Sequence, residues 1–134
     1  KETAFSLASI ITPAPENGVL PPDENGFIYY DKAKFHSGFA AEQSTQKANF
    51  MYASQNPVSE KGLNTPITYA AWKTRPCFGI VATEDKSIDP GLERTMYTRA
   101  NASITEIKAS HTVFMSNPRA VASVIVKAAK WRHR

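Results

Sequence analysis

A chain of 134 residues with 42% hydrophobic and 21% charged content lies within the range of ordinary globular domains, which excludes disorder as the default reading. It has no run of about 18 apolar residues and no basic-then-apolar-then-small leader pattern at its start, and its single cysteine, Cys77, has no partner for an internal disulfide, so a cytoplasmic protein is expected. The formal charge of +4 sits at one end, where Lys108, Arg119, Lys127, Lys130, Arg132 and Arg134 follow the last acid, Glu106, with Trp131 and His133 among them; cations near a helix C-terminus account for this, and neither nucleic acid nor a membrane is expected as a partner.

The first part of the chain is irregular. Ser6 to Ile11 is a short apolar stretch that runs into Pro13 and Pro15, which deny it helical continuation. Val19-Leu20 and Phe27-Ile28-Tyr29-Tyr30 flank a proline-rich segment ending in Asn25-Gly26, a pattern that predicts a small hairpin. Lys32 to Ala41 carries Phe35 and Phe39 four apart, and Ser44 to Gln55 carries Ala48, Met51 and Tyr52 at helical spacing; these predict two short amphipathic helices. A third helical turn is predicted from Pro57, at a first-turn position, to Gly62 at a C-cap.

The second part is regular. Cys77 to Ala82 is an unbroken apolar run of strand length, as in a parallel sheet covered on both faces. Asp89 and Pro90 supply an N-cap and a first helical residue, with Leu92, Met96 and Ala100 recurring every four residues. Ile104 to Ala109 predicts an edge strand with Thr105, Ile107 and Ala109 on one face and Glu106 and Lys108 on the other. Asn117-Pro118 opens a last helix whose Val121, Val124, Ile125 and Ala128 form one stripe facing a sheet. The result is an α/β chain with one βαβα unit. Two parallel strands are fewer than parallel sheets usually have, so the remainder of the sheet is expected from an N-terminal half or a second chain.

In an open α/β sheet, reactive groups gather beyond the carboxyl ends of the strands. The first end here carries Glu84, Asp85 and Asp89, the second Ser110 and His111. Neighbouring parallel strands lie about 4.8 Å apart, so an acid from the first can reach the His111 imidazole, fix its tautomer and stabilise its protonated form. Asp89 is accounted for as a helix cap, whereas Glu84 and Asp85 both remain possible acids. Ser110 leaves the strand in a different direction from its neighbour and is a poor nucleophile for it. His36 stands on a predicted helix, equally suited to solvent or substrate, and His133 lies in a tail. Phe35, Phe39, Met51, Tyr52 and Trp72 are candidates to line an acyl pocket or to pack a core. Asn101-Ala102-Ser103 fits an N-glycosylation pattern that is expected to be idle.

The stretch Arg75-Pro76-Cys77-Phe78-Gly79-Ile80-Val81-Ala82-Thr83-Glu84-Asp85-Lys86-Ser87-Ile88 resembles the penultimate strand and acid turn of the α/β-hydrolase family. Glu106-Ile107-Lys108-Ala109-Ser110-His111 is similar to its last strand and histidine turn, and Met115 to Ala122 resembles the following helix start. Gly26 to Asp31 and Phe50 to Gln55 are similar, more loosely, to the lid of small esterase-like members. The resemblance spans residues 73–130 and implies a lid over residues 1–75 and the C-terminal βαβα unit of the hydrolase core over residues 76–134. It implies an order of serine, acid, histidine, with Asp85 as the acid and His111 as general base and then acid. It further implies hydrolysis of small ester or acyl substrates through an acyl-enzyme, without metal or organic cofactor. No G-x-S-x-G occurs in these residues, so the nucleophile is expected outside them and the chain alone is expected to be inactive. The alternative is a non-catalytic binding or regulatory protein of the same fold.

Overall fold

The computed structural model describes residues 13–131; the apolar stretch Ser6 to Ile11 and the tail residues Arg132, His133 and Arg134 lie outside the described residues. Asp23 opens a turn in which its Oδ1 accepts the N–H groups of Asn25 and Phe27, and Gly26 completes it at φ 76°, the left-handed region where glycine carries no Cβ penalty. The expected hairpin is reduced to one antiparallel bridge, Val19 with Tyr30, because Pro21 and Pro22 have no N–H to extend a ladder. Strand β1, Phe27–Ile28, pairs antiparallel with β2, Val58–Ser59, instead.

Helix α1, Lys32–Phe39, starts on Asp31, whose side chain accepts the N–H groups of Ala33 and Lys34. Helix α2, Thr45–Ala53, starts on Ser44 in the same manner. Helix α3, Glu60–Asn64, departs from expectation: Ser59 caps it, and Gly62 lies inside it with its N–H on the Ser59 hydroxyl. Pairing with β1 draws Val58 and Ser59 into a strand and delays the helix. Between α1 and α2, Tyr30, Phe35, Ala40 and Ala48 form a buried cluster on which Phe39, Met51 and Tyr52 pack. The rings of Phe35 and Phe39 stack at 4.9 Å, and Tyr30 meets Phe35 edge-on at 5.6 Å.

Strand β3, Phe78–Ala82, and strand β4, Ser103–Ile107, form a parallel pair with Phe78 opposite Ser103 and Ala82 opposite Ile107. β4 ends two residues before the expected Ala109. Glu106 and Lys108 point to solvent while Thr105, Ile107 and Ala109 face inward, the pattern of an edge strand. Helix α4, Pro90–Arg99, connects the strands and is capped by Asp89, which accepts the Leu92 N–H. It lies close on the sheet, since a Cβ at Gly79 would stand 2.7 Å from the Tyr97 ring. A short helix α5, Val113–Ser116, precedes α6, Pro118–Ala129. Asn117 sits at the N-cap of α6 but does not cap it, its amide donating to the Ser116 hydroxyl. Helix α6 packs on β3, yet the expected stripe is only partly covered: Val121, Val124 and Ala128 are half-buried and Ile125 is 61% exposed. The α/β architecture is thus present with a parallel sheet of two strands among the described residues, smaller than such sheets usually are.

Candidate active site

The parallel pairing continues beyond the strands, with the Thr83 N–H on the Ile107 carbonyl and the Glu84 N–H on that of Ala109. These bonds bring the two strand-end turns together. Asp85 is buried at 4% exposure. Its Oδ1 accepts the N–H groups of Ser87 and Ile88 at 2.7 and 3.0 Å, and its Oδ2 lies 2.7 Å from His111 Nδ1. With one oxygen occupied by two backbone donors, the other can only receive a proton from the ring, so the neutral imidazole carries its hydrogen on Nδ1 and leaves Nε2 with a lone pair. The Phe39 ring covers the imidazole at 4.5 Å.

The two other acids at this end are engaged elsewhere. Glu84 is exposed, 3.6 Å from the Lys108 ammonium, and Asp89 caps α4. Ser110 is buried, and both its N–H and its hydroxyl donate to the Glu42 carboxylate. His36 is half-buried, and its Nε2 donates to the Gln43 carbonyl at 2.7 Å. Asn101, at φ 49°, is the left-handed residue that ends α4.

A cavity of about 540 Å³ opens beside His111, walled by Tyr29, Tyr30, Phe39, Tyr52 and Leu63 among others, with Gln55, Asn56 and Ser87 as polar members. Of the five residues considered for pocket lining, Phe39 and Tyr52 are in this wall. Phe35 is instead buried in the aromatic cluster and Met51 packs against it. Trp72 stands at a different cavity by the amino ends of the strands, beneath the Arg99 guanidinium. Among the described residues no three His, Cys, Asp or Glu side chains gather as metal ligands, and no helix is long and apolar enough to cross a membrane.

Two acids escape the sequence reading. Glu42 lies in a short corner with no periodicity to flag it. Glu93 is 9% exposed with Oε2 buried and unpartnered; its carboxyl is pushed up to about 7, first by burial and then by the Asp85 charge, while His111, the Ala82 N–H and Arg94 oppose the rise. The apolar stripe of Leu92, Met96 and Ala100 gives no signal for it, although Glu93 shares a helix face with Tyr97, the residue seated on Gly79. Burial, then the Glu93 charge, raises the Tyr97 hydroxyl above its ordinary value.

A buried carboxylate and an imidazole thus meet beyond the carboxyl ends of two parallel strands. A sequence model of the alpha/beta hydrolase family matches residues 4–124, and the chain belongs to that family. No curated protein gives a significant match.

Proposed function

We propose that this chain supplies the lid, the acid and the base of a serine hydrolase acting on small, uncharged ester or acyl compounds, with the nucleophile on a part of the enzyme outside these residues. The observation that carries the reading is Asp85: one oxygen fixed by two backbone N–H groups, the other 2.7 Å from His111 Nδ1. His111 Nε2 then takes the proton of the attacking serine and returns it to the leaving group, while Asp85 stabilises the imidazolium. The cavity beside His111 is mostly aromatic and aliphatic, and among the described residues its wall holds tyrosines and the His111 imidazole but no carboxylate or cation. Such a wall favours an uncharged acyl or alcohol group.

The test uses the complete enzyme with a p-nitrophenyl ester and a serine-directed fluorophosphonate. His111→Ala is expected to abolish turnover and slow labelling by orders of magnitude. Labelling at the parent rate would remove His111 as the base. The isolated chain is expected to take no label, and stoichiometric labelling of Ser110 would place the nucleophile where the proposal denies it.

A further inference from the structure

The corner between α1 and α2 is held with more bonds than a connecting turn requires. Ala40 is fully buried and gives its N–H to the Phe35 and His36 carbonyls, the Gln43 N–H returns to the Ala40 carbonyl, and the His36 ring donates to the Gln43 carbonyl. Glu42 projects from this corner. One carboxylate oxygen receives the Ser110 N–H and the other the Ser110 hydroxyl. Ser110 is 2% exposed although Glu42 is itself exposed; without Glu42 the Ser110 N–H would lose its acceptor and the hydroxyl would keep only a 3.5 Å contact with Thr112.

Two charge-assisted bonds from one carboxylate fix both the position and the rotation of the Ser110 peptide. The next residue is His111. Phe39, from the end of α1, lies on the His111 ring itself. The helical segment therefore holds the histidine turn at two places, one through the backbone and one on the ring. Asp85 fixes the imidazole from the opposite strand end, and a ring held at one point only could pivot about that bond.

We propose that Glu42 is a positioning residue for His111: from the α1–α2 corner its carboxylate grips Ser110 and sets the imidazole against Asp85. Seating of the helical segment and readiness of the base are thereby one event. The proposal rests on His111 being the base, as proposed above.

The experiment compares Glu42→Ala, Glu42→Gln and Glu42→Asp with the parent in the complete enzyme, by kcat, KM and amide hydrogen exchange over the Ala109–Thr112 turn. Glu42→Ala is expected to speed exchange at Ser110 by about tenfold or more. It should lower kcat by about tenfold to a hundredfold with KM changed by less than about threefold. Glu42→Gln, with a single acceptor oxygen, should fall between, and Glu42→Asp should recover part of the loss. A risen KM with kcat unchanged would mean that Glu42 merely anchors the segment and would overturn the proposal, as would unchanged exchange at Ser110. His111→Ala is run in parallel: full activity in that variant defeats the base assignment, while the exchange data still decide whether Glu42 holds the turn. If Glu42→Ala does not fold, the Gln and Asp variants carry both readouts.

Discussion

The Tyr30 hydroxyl lies 3.0 Å from Ser87 Oγ, which itself donates to the Gly38 carbonyl at 2.9 Å, so that Tyr30 is the donor to Ser87. Asn17 adds a bond to the Ser87 carbonyl at 2.8 Å. One residue of the acid turn thus joins the aromatic cluster of the helical segment to the backbone that cradles Asp85.

Removing that joint has separable effects. Tyr30→Phe deletes one hydrogen bond and leaves the ring packing, and a loss of about 1 kcal/mol is expected in denaturant unfolding of the complete enzyme. Ser87→Ala deletes two bonds and strands the Tyr30 hydroxyl, for about 2 kcal/mol. Because they share one bond, the double variant should cost less than the two losses added. Strict additivity would show that the Tyr30–Ser87 bond contributes nothing.

Gly79 tests the seat of α4. Its missing Cβ leaves room for the Tyr97 ring face, three of whose atoms would stand 2.7 to 2.8 Å from an added methyl group. Gly79→Ala is expected to cost about 1–3 kcal/mol by overpacking. Pairing it with Tyr97→Leu should recover part of that loss, whereas an equal loss in both backgrounds would place the clash elsewhere.

The meeting of Asp85 and His111 is legible in the sequence because it follows from strand ends. An apolar run, an Asp-Pro helix start and a second strand fix two turns on neighbouring strands, and sheet spacing does the rest. The choice between Glu84 and Asp85 is not legible from the residues alone. It depends on the Ser87 and Ile88 N–H groups folding back onto one carboxylate, and only the resemblance pointed to Asp85. Glu42 and Glu93 are invisible for related reasons. Glu42 meets Ser110 across 68 residues of chain, and Glu93 is a charged residue on a face where apolar periodicity gives no reason to expect one. The start of α3 is missed because two residues of strand pairing, β1 with β2, outweigh a first-turn proline. Ile125 remains exposed although periodicity places it on the buried stripe, since the two-stranded sheet leaves α6 little surface to cover.

Glu93 gives the stability a defined dependence on pH. Its folded value of about 7 exceeds the ordinary 4.5, so the folded state holds the proton more tightly than the unfolded one. The stability gained from this is complete below about pH 4.5 and is lost as pH rises through about 7. The loss is on the order of 3 kcal/mol. Glu93→Gln, neutral throughout, should remove this slope and unfold at higher denaturant than the parent above pH 7. Parallel curves for the two proteins across the window would show that the Glu93 carboxyl is not held protonated.

The assignment of Asp85 is tested by Asp85→Asn, Glu84→Gln and His111→Ala in the complete enzyme. An asparagine at position 85 is not free to choose its orientation, because the Ser87 and Ile88 N–H groups require an oxygen where Oδ1 now stands. Its amide nitrogen must then point at His111 Nδ1, 2.7 Å away. Two donors cannot share that contact, so the ring gives up its Nδ1 hydrogen and carries it on Nε2, where the lone pair was needed. Folding should survive, since every backbone bond to the side chain is kept, while kcat falls by about 10³ to 10⁴. Glu84→Gln should change kcat by less than about tenfold, because an exposed carboxylate with one loose lysine partner contributes little. Joining Asp85→Asn to His111→Ala should cost hardly more than His111→Ala alone, because residues acting as a unit do not add. A damaging Glu84→Gln beside a mild Asp85→Asn would move the acid by one residue, and mild effects from all three would remove this strand-end pair from the chemistry.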